Sequence, residues 1–480
     1  MDTFLRFRMA VILSAVCIAL FCSLSCVSKK SSDKVTVLQG AILFDGTGSE
    51  ALVNSVIVLE DDIIQCVGSQ GDCRIPTGAE VVDVSGKYIT PGLIDAHVHF
   101  AQTGFFDGRP DALDLRETYP FGKVAAYQKQ HPQRYYDAYL CSGITGVYDV
   151  GGFTWSIDFQ QSAEENPQAP HVAAAGPLIT PATLDIFNTP PDKVLVTLDS
   201  KETGRQAVQY LSGLGATGIK LWQLDVDNDA YMDRVATVAE EVEKQGNQVI
   251  VHATTLEQAQ SAVDYGAKLL VHSVSDTYVD QEFLDTAKET GTIYTPTLIV
   301  GSGYMLAYRA AADVASYPFD DPNGCIDSKT RNLLANASQF SDHAAFTNEF
   351  RERLQRFDPQ DDRVSQTALQ NLKKVYEAGI PIAVGTDAGN PGTLHGPSIY
   401  EEMEAMQRAG IPPEDLIVMA TQNGAQAMQR SHDIGTLEEG KMANLIVLEQ
   451  DPSQDIDNIR SITHTMLKGR LMETGSFTEN

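Results

Sequence analysis

Basic residues are scarce in this chain relative to acidic ones. Its 480 residues include 35 Lys and Arg against 64 Asp and Glu, which gives a formal net charge of -29. No Lys/Arg-rich run follows the N-terminus, which argues against a nucleic-acid partner. The acidity is instead typical of a solvated, soluble surface. No Cys-x-x-Cys pair, internal repeat or low-complexity segment occurs, so any metal ligands are expected to be residues other than thiolates.

The N-terminus has the pattern of a targeting segment. Arg6 and Arg8 precede an apolar stretch, residues 9–21, that is too short for an ordinary transmembrane helix. The following Ser23-Leu24-Ser25-Cys26 resembles a bacterial lipoprotein signal, in which Cys26 is lipidated. Val27 stands where an inner-membrane retention Asp is common, so an exported protein anchored in the outer membrane and facing the periplasm is expected. A plain secretory signal or an uncleaved anchor is the alternative.

Four cysteines lie beyond this segment: Cys66, Cys73, Cys141 and Cys325. In an oxidising compartment, Cys66 and Cys73 could pair across a hairpin that contains the turn at residues 68–71. Sequence spacing alone does not establish the geometry that such a bond needs.

Short apolar runs alternate with helical stretches from residue 93 onward, which predicts strand–helix units. Eight such units favour an α/β fold, a (β/α)8 TIM barrel, because each strand needs a helix to cover it. The predicted strands are residues 93–98, 144–150, 172–175, 218–221, 248–252, 268–272, 292–295 and 382–385.

The regions that flank the barrel are rich in strands and turns, and we expect them to form one small discontinuous β-sandwich. The predicted division is a signal peptide at 1–25, a tether at 26–34, a sandwich from 35–90 and 433–475, and a barrel at 91–432. Long excursions after the first and seventh strands are expected to wall the active site.

Polar side chains end several of the predicted strands. His97 and His99 are two apart on one strand, so both imidazoles point to the same side. Barrel sites are built at the carboxyl ends of strands, where further candidate ligands arrive. These candidates are His97, His99, Lys220, His252, His272 and Asp387. Each alone is weak, but together at one end of the barrel they predict a metal site.

The sequence resembles the amidohydrolase superfamily of metal-dependent hydrolases. The resemblance rests on Pro91-Gly92-Leu93-Ile94-Asp95-Ala96-His97-Val98-His99, on the strand-end set and on the closing segment 435–445. Within the superfamily it is similar to the binuclear branch of imidazolonepropionase-like and Xaa-Pro dipeptidase (prolidase-like) proteins.

That resemblance implies a binuclear centre that cleaves an amide or peptide C–N bond of a small molecule or dipeptide through a metal-bridging hydroxide. His97, His99 and Asp387 would hold one divalent ion, with zinc expected, and His252 and His272 the other. Lys220, carboxylated to a carbamate, would bridge them, although a lysine reaching from its strand end to solvent is the alternative. Asp387 would act as general base and then general acid.

Substrate contacts are expected from two further residues. Tyr231 follows the strand of Lys220, and relatives use a tyrosine near this position to bind a substrate carboxylate; an ordinary helix tyrosine is the alternative. His395 follows the eighth strand and could line the site or support a ligand. The segment 176–184 lacks the His that the family often carries there, which weighs against a dipeptide as the substrate.

The sequence is also compatible with other function classes. A cyclic-amide or imidazolone hydrolase is one alternative. A mononuclear deaminase is another, but that branch typically places a Glu three residues after the fifth-strand His, where this chain has Thr255. A surface lipoprotein without activity would be expected to have lost ligands, and none is missing.

Overall fold

A computed structural model describes residues 34–187, 192–361 and 364–477. The predicted signal peptide, Cys26 and nearly all of the predicted tether lie outside the described residues. Among the residues that are described, no helix is both long and apolar enough to cross a membrane.

The first strands of the chain form a four-stranded sheet. Its members, in spatial order, are Ile63–Ser69, Ser55–Glu60, Val35–Gln39 and Glu80–Asp83. The hairpin between Ser55–Glu60 and Ile63–Ser69 turns within two residues, and Asp61 there has a φ of 55°. Aspartate tolerates this left-handed conformation, which tight hairpin turns require.

A second sheet combines strands from both ends of the chain. In spatial order its strands are Arg470–Glu473, Ile462–Leu467, Leu445–Leu448, Tyr88–Pro91 and Ile42–Leu43. Leu445 pairs with Pro91 in the antiparallel register between the third and fourth of these. Buried side chains of both sheets, among them Ile57 and Val447, form one apolar cluster, so burial of these faces holds the two sheets together.

Parallel strands make up the centre of the molecule. One sheet contains Leu93–Val98, Ile144–Asp149 and His171–Ala174 in that order. Another has the order Leu195–Thr197, Leu178–Thr180, Ile219–Leu221, Val249–His252, Leu269–Val271 and Ile293–Thr295. The mixed α/β class is thus confirmed, and the strands at 178–180 and 195–197 are additions that the sequence pattern did not predict.

The predicted eighth strand, residues 382–385, is not a regular strand. Isolated bridges join Ile382 to Tyr294 and Ala388 to Val98, so the segment lies between the last and first parallel strands. A Cβ on Gly385 would lie 2.4 Å from Thr295 Cγ2 and 2.8 Å from His97 Cβ. Only glycine fits at this position. The close approach interrupts the backbone hydrogen-bond ladder, so the segment does not form a regular strand.

Helices connect the parallel strands and form the excursions between them. Several begin with a side-chain cap of the type that stabilises helix starts, for example Thr255, which accepts a hydrogen bond from Gln258 N at 3.2 Å. Within the described residues, the α-helices are Phe121–Gln130, Gln133–Cys141, Asp158–Glu165, Lys201–Gly213, Asp229–Lys244, Leu256–Asp264, Gln281–Thr290, Val300–Ala311, Ser328–Ala335, Asn348–Arg356, Gln366–Glu377, Ser398–Arg408, Pro413–Met419 and Gln422–Ala427.

Two disulfides link the four described cysteines. Cys66 and Cys73 are bonded, as their hairpin spacing allowed, across a sequence separation of 7. Cys141 and Cys325 are bonded across a separation of 184, which ties helix Gln133–Cys141 to the long excursion after Ile293–Thr295. Loop-closure entropy grows with loop length, so the longer link stabilises the fold by about 5 kcal/mol against about 2 kcal/mol for the shorter one.

Candidate metal centre

The six predicted strand-end residues converge at one end of the parallel strands. His97 and His252 lie within strands Leu93–Val98 and Val249–His252, and His272 directly follows Leu269–Val271. His97, His272 and Asp387 offer ligand atoms that lie within 4.8 Å of one another. Four of the six side chains are buried, and His252 and His272 are half-buried.

The carboxylate of Asp387 lies at the centre of the group. Its Oδ1 is 2.9 Å from His99 Nε2 and 3.2 Å from His97 Nε2, and its Oδ2 is 4.0 Å from His272 Nδ1. The His252 and His272 rings are 4.3 Å apart between centroids. Four imidazoles and one carboxylate therefore share a space the size of a small metal centre.

Two of these residues have a strained backbone. His272 has a φ of 77° and Asp387 a φ of 61°, both in the left-handed region that non-glycine residues seldom adopt. His272 N donates to Thr295 O at 2.9 Å and Asp387 N donates to His97 O at 2.7 Å, which holds both conformations. Such strain persists only where surrounding structure fixes it, and it concentrates at functional sites.

Polar contacts fix the orientation of the remaining ligands. His99 Nδ1 lies 2.5 Å from Gly151 O, a contact in which the ring donates and which leaves Nε2 free toward Asp387. The buried carboxylate of Asp95 accepts from His97 N at 3.2 Å and from the Thr386 hydroxyl at 2.6 Å. Burial raises the pKa of Asp95 to about 7, against these hydrogen bonds, which lower it.

The donor set fits divalent ions. Buried atoms without a hydrogen-bond partner in the described chain include Nδ1 and Nε2 of His97, Nζ of Lys220 and Oδ1 of Asp387. Unpartnered polar atoms are costly to bury. A metal ion would satisfy one nitrogen of His97 and the Asp387 oxygen, and Lys220 would join the ligands only as its carbamate. Burial, followed by the charge of Lys220, lowers the pKa of His97 and lowers that of His252 to about 3, so both rings are neutral and able to ligate.

Lys220 is the unusual member of the group. Its side chain is 1 % exposed, between the fully buried Ile219 and Leu221. Burial lowers the pKa of its ammonium to about 7, although Asp387 raises it. The uncharged amine is therefore populated near neutral pH, and the uncharged amine is the form that reacts with carbon dioxide. The alternative, a lysine whose side chain reaches from the strand end to solvent, required an exposed side chain, and Lys220 is buried.

A cavity of about 1330 Å³ opens above these side chains. All six predicted ligands line its base, and large apolar side chains form its walls, among them Phe121, Trp222, Met305 and Phe350. This volume is larger than an ordinary small-molecule pocket of roughly 300–1,000 Å³.

The two residues predicted to contact substrate lie elsewhere. Tyr231 is fully buried on helix Asp229–Lys244, and His395 is packed against Tyr135, with ring centroids 3.8 Å apart, and against Tyr139. Neither is among the described residues that line the cavity. Tyr231 therefore belongs to the core, and the cavity lining does not support a direct substrate contact by either residue. His395 packs in an aromatic cluster beside the site, where its other predicted role, support of a ligand, stays a prediction.

Three residues that line the cavity, Arg109, Tyr304 and Asn390, were not predicted from the sequence. The Tyr304 hydroxyl donates to Asn390 Oδ1 at 2.8 Å, and the Arg109 guanidinium donates to the same oxygen. Asn390 Nδ2 in turn donates to Asp387 O at 3.2 Å. Arg109 is also paired with Asp111 through two 2.8 Å contacts, so a cation and a hydroxyl are held in fixed positions beside Asp387. Arg109 lies in an irregular segment and Tyr304 on helix Val300–Ala311, both within the long excursions, and no local sequence pattern assigns either to the site.

The sequence profile of the Amidohydrolase family matches residues 88–472. This chain belongs to the amidohydrolase family. The match includes every predicted strand-end ligand, and this amidohydrolase is accordingly a hydrolase that acts on C–N bonds.

Two curated relatives illustrate the similarity at the level of sequence. Ochratoxinase from Aspergillus niger is 25% identical over 478 residues, covering 92% of this chain and 87% of that protein. An imidazolonepropionase from Brevibacillus brevis is 23% identical over 416 residues, covering 82% of this chain and 83% of that protein.

Solved structures resemble the fold of this amidohydrolase over most of its length. A Xaa-Pro dipeptidase with bound methionine gives a TM-score of 0.67 at 23% identity, over 92% of this chain and 100% of that one. A molinate hydrolase gives a TM-score of 0.66 at 20% identity, over 92% and 95% of the two chains. Identities this low establish a shared fold and leave the substrate open.

Proposed function

We propose that this amidohydrolase holds two divalent metal ions and hydrolyses an amide bond of a small, largely apolar substrate. The observation that carries the proposal is the group of buried, unpartnered ligand atoms that includes the amine of Lys220. A mononuclear site would have no use for a buried lysine at this position, whereas in a binuclear site its carbamate would supply an anionic ligand.

Each predicted ligand has a place in this proposal. His97, His99 and Asp387 would hold one ion, His252 and His272 the other, and carboxylated Lys220 both, with zinc as the expected metal because imidazole and carboxylate ligands suit it. Bound there, the ions would lower the pKa of a coordinated water and polarise the scissile carbonyl.

Asp387 is the residue we propose to move the proton. Its carboxylate has two oxygens that face different neighbours, Oδ1 toward His97 and His99 and Oδ2 toward His272. One oxygen can remain with the ligands while the other accepts the proton of the attacking water and then donates it to the leaving amine.

The cavity supports an amide with a bulky apolar part more than a minimal dipeptide. Its volume exceeds what two residues fill, and its walls are aromatic at Phe121, Trp222 and Phe350. The relatives carry both possibilities in their names, one being an ochratoxinase and another a Xaa-Pro dipeptidase. A cyclic amide, as in imidazolonepropionase, remains within the same reaction class.

Deamination has less support. Thr255, at the position where a deaminase would be expected to carry Glu, caps helix Leu256–Asp264 through Gln258 N. That structural role and the buried Lys220 both favour amide hydrolysis.

We also propose that the parallel strands close into a (β/α)8 barrel and that the two terminal sheets form a sandwich domain from residues 35–90 and 433–475. Support for closure comes from Ala96 N donating to Val384 O at 2.9 Å and Ala383 N donating to Tyr294 O at 3.0 Å, on opposite sides of the irregular segment. A similar bond joins Thr217 N to Ala174 O at 2.9 Å, between the two parallel sheets.

The proposed function is tested by metal analysis together with a substrate panel. We expect about two Zn²⁺ per chain by elemental analysis, loss of activity on chelation, and recovery on adding Zn²⁺. We also expect turnover of at least one amide in a panel of dipeptides, N-acyl aromatic amino acids and lactams. One ion per chain with ammonia release would support the deaminase. Two bound ions without turnover of any amide would contradict amide hydrolysis.

We further propose that the protein is exported and anchored through lipidated Cys26 in the outer membrane, facing the periplasm. The two disulfides support an oxidising compartment, because cytosolic proteins seldom retain such bonds. Cys26→Ser is expected to move the protein from the membrane fraction to the soluble fraction of the cell envelope, as followed by immunoblotting. Cys22→Ser, four residues earlier, is the matched control and should leave the distribution unchanged. Membrane association of Cys26→Ser equal to that of the unmodified chain would contradict lipidation.

A further inference from the structure

Glu402 is a fully buried carboxylate outside the predicted ligand set. It lies on helix Ser398–Arg408 with none of its surface exposed. Its Oε1 accepts a hydrogen bond from Leu298 N at 2.8 Å and its Oε2 accepts one from Ile299 N at 3.1 Å. Two consecutive backbone N–H groups of another segment therefore bind the two oxygens of a single side chain.

The segment that Glu402 holds reaches a predicted metal ligand. Thr297, directly before Leu298, has a φ of 46°, and its hydroxyl lies 2.7 Å from His272 Nδ1. Pro296 O accepts a second bond, from the hydroxyl of Ser273 at 3.0 Å. The loop at residues 296–299 thus contacts His272 and Ser273 through hydrogen bonds, and Glu402 binds the backbone of the same loop.

The same contact starts a helix that lines the cavity. Ile299 is the N-cap residue of helix Val300–Ala311, and its own side chain makes no capping hydrogen bond. Helix starts leave backbone N–H groups without partners, and a carboxylate also interacts favourably with the dipole there. Glu402 supplies that cap from a different helix and so also fixes the helix that carries Tyr304.

We propose that Glu402 is a positioning residue of the metal centre, acting through Leu298, Ile299 and Thr297 to set the orientation of the His272 ring. This inference rests on the proposed binuclear site. Contacts that orient a ligating histidine tune its affinity for the metal, and Thr297 keeps its left-handed backbone only while the loop after it is held.

A carboxylate suits this place better than its amide. Both oxygens of Glu402 face backbone N–H donors, so only the ionised form completes the two contacts. Burial opposes that form by raising the pKa of Glu402, and the hydrogen bonds from Leu298 N and Ile299 N favour it by lowering the pKa. Glutamine has nearly the same shape, but it would turn an NH₂ donor toward one of two backbone donors. Glu402→Gln therefore breaks one of the two contacts without opening a cavity.

The test measures zinc affinity by competition with a chromophoric chelator on the full mature chain, and the visible spectrum of the Co²⁺-substituted protein. We expect Glu402→Gln to raise the dissociation constant of the more weakly held Zn²⁺ by about tenfold or more. Thr297→Val, which removes the hydroxyl and keeps the shape, should act in the same direction and change the same Co²⁺ bands. The double variant should show less than the sum of the two effects, because both act on one contact.

Asp321 provides a matched control. Its side chain is 2% exposed and accepts from Cys325 N at 2.7 Å and Ile326 N at 3.0 Å, so it is also a buried carboxylate that holds two backbone N–H groups. It differs from Glu402 in also pairing with the guanidinium of Arg331. It is not among the described residues of the cavity. Asp321→Asn should lower thermal stability and leave zinc affinity within about twofold, as expected of a change remote from the metal.

Three results would overturn the proposal: unchanged zinc affinity in Glu402→Gln, purely additive effects with Thr297→Val, or an equal loss of affinity in Asp321→Asn. If Glu402→Gln does not fold, zinc affinity of Thr297→Val decides, and an unchanged value rejects the proposal. The readout is metal affinity, so a failure to hydrolyse any amide would count against the proposed function and would not enter this comparison.

Discussion

Asp387→Asn is expected to lower kcat/KM by about 10⁴-fold, because an amide cannot accept the proton of the attacking water or return it to the leaving amine. Asparagine is the informative choice at this position. The φ of 61° at Asp387 lies in the left-handed region, which asparagine tolerates better than alanine, so the variant should keep its fold. Steady-state kinetics on the best amide from the panel, with metal content determined alongside, measure the effect.

A surface aspartate serves as the control for this variant. Asp264 lies at the end of helix Leu256–Asp264 and accepts a hydrogen bond from Gln260 at 2.9 Å. Asp264→Asn should retain the activity of the unmodified enzyme. A loss of less than tenfold in Asp387→Asn, with both metals bound, would contradict its role as the proton carrier.

Removal of the Lys220 amine should have the next largest effect. Lys220→Ala is expected to lower kcat/KM by about 10³-fold or more, on the order of 4 kcal/mol, because the anion that would bridge the two ions cannot form. The space left behind should admit a short carboxylate, so propionate should restore part of the activity. In the unmodified enzyme, equilibration with ¹³C-bicarbonate should give a carbamate signal by NMR that the variant lacks.

Lys220→Met separates loss of the charge from loss of volume. Methionine fills the space between Ile219 and Leu221 without an amine, so propionate should restore little activity in this variant. Full activity of Lys220→Met, or a carbamate signal that persists in it, would contradict carboxylation.

The parallel strands were predictable wherever a short apolar run in the sequence also occupies a buried strand position in the fold. Runs such as 93–98 and 248–252 are short, apolar and bounded by turn residues, and the structure has strands at Leu93–Val98 and Val249–His252. The prediction of a regular strand at 382–385 was wrong, because the close approach at Gly385 and the left-handed Asp387 are imposed by neighbours distant in sequence.

The convergence of the strand-end residues was predictable for a topological reason. Parallel strands bring their carboxyl ends to one edge, so a polar residue at each end is placed without knowledge of the loops. Arg109, Tyr304 and Glu402 depend on how the excursions and later helices pack, and no periodicity links them. The bond between Cys141 and Cys325 likewise joins cysteines separated by 184 residues, which composition and spacing could not pair.

The pairing of Tyr88–Pro91 with Leu445–Leu448 has a consequence for biosynthesis. The first of these strands leads directly into Leu93–Val98, which carries His97, so the entry to this strand is completed by a segment that is translated much later. Pairing between strands so far apart in sequence is slow, because closing the long intervening loop costs conformational entropy before the new contacts compensate for it. A nascent or truncated chain would thus present its histidines before they are held in place. The site would be complete only after Leu445–Leu448 has been synthesised and has paired with Tyr88–Pro91.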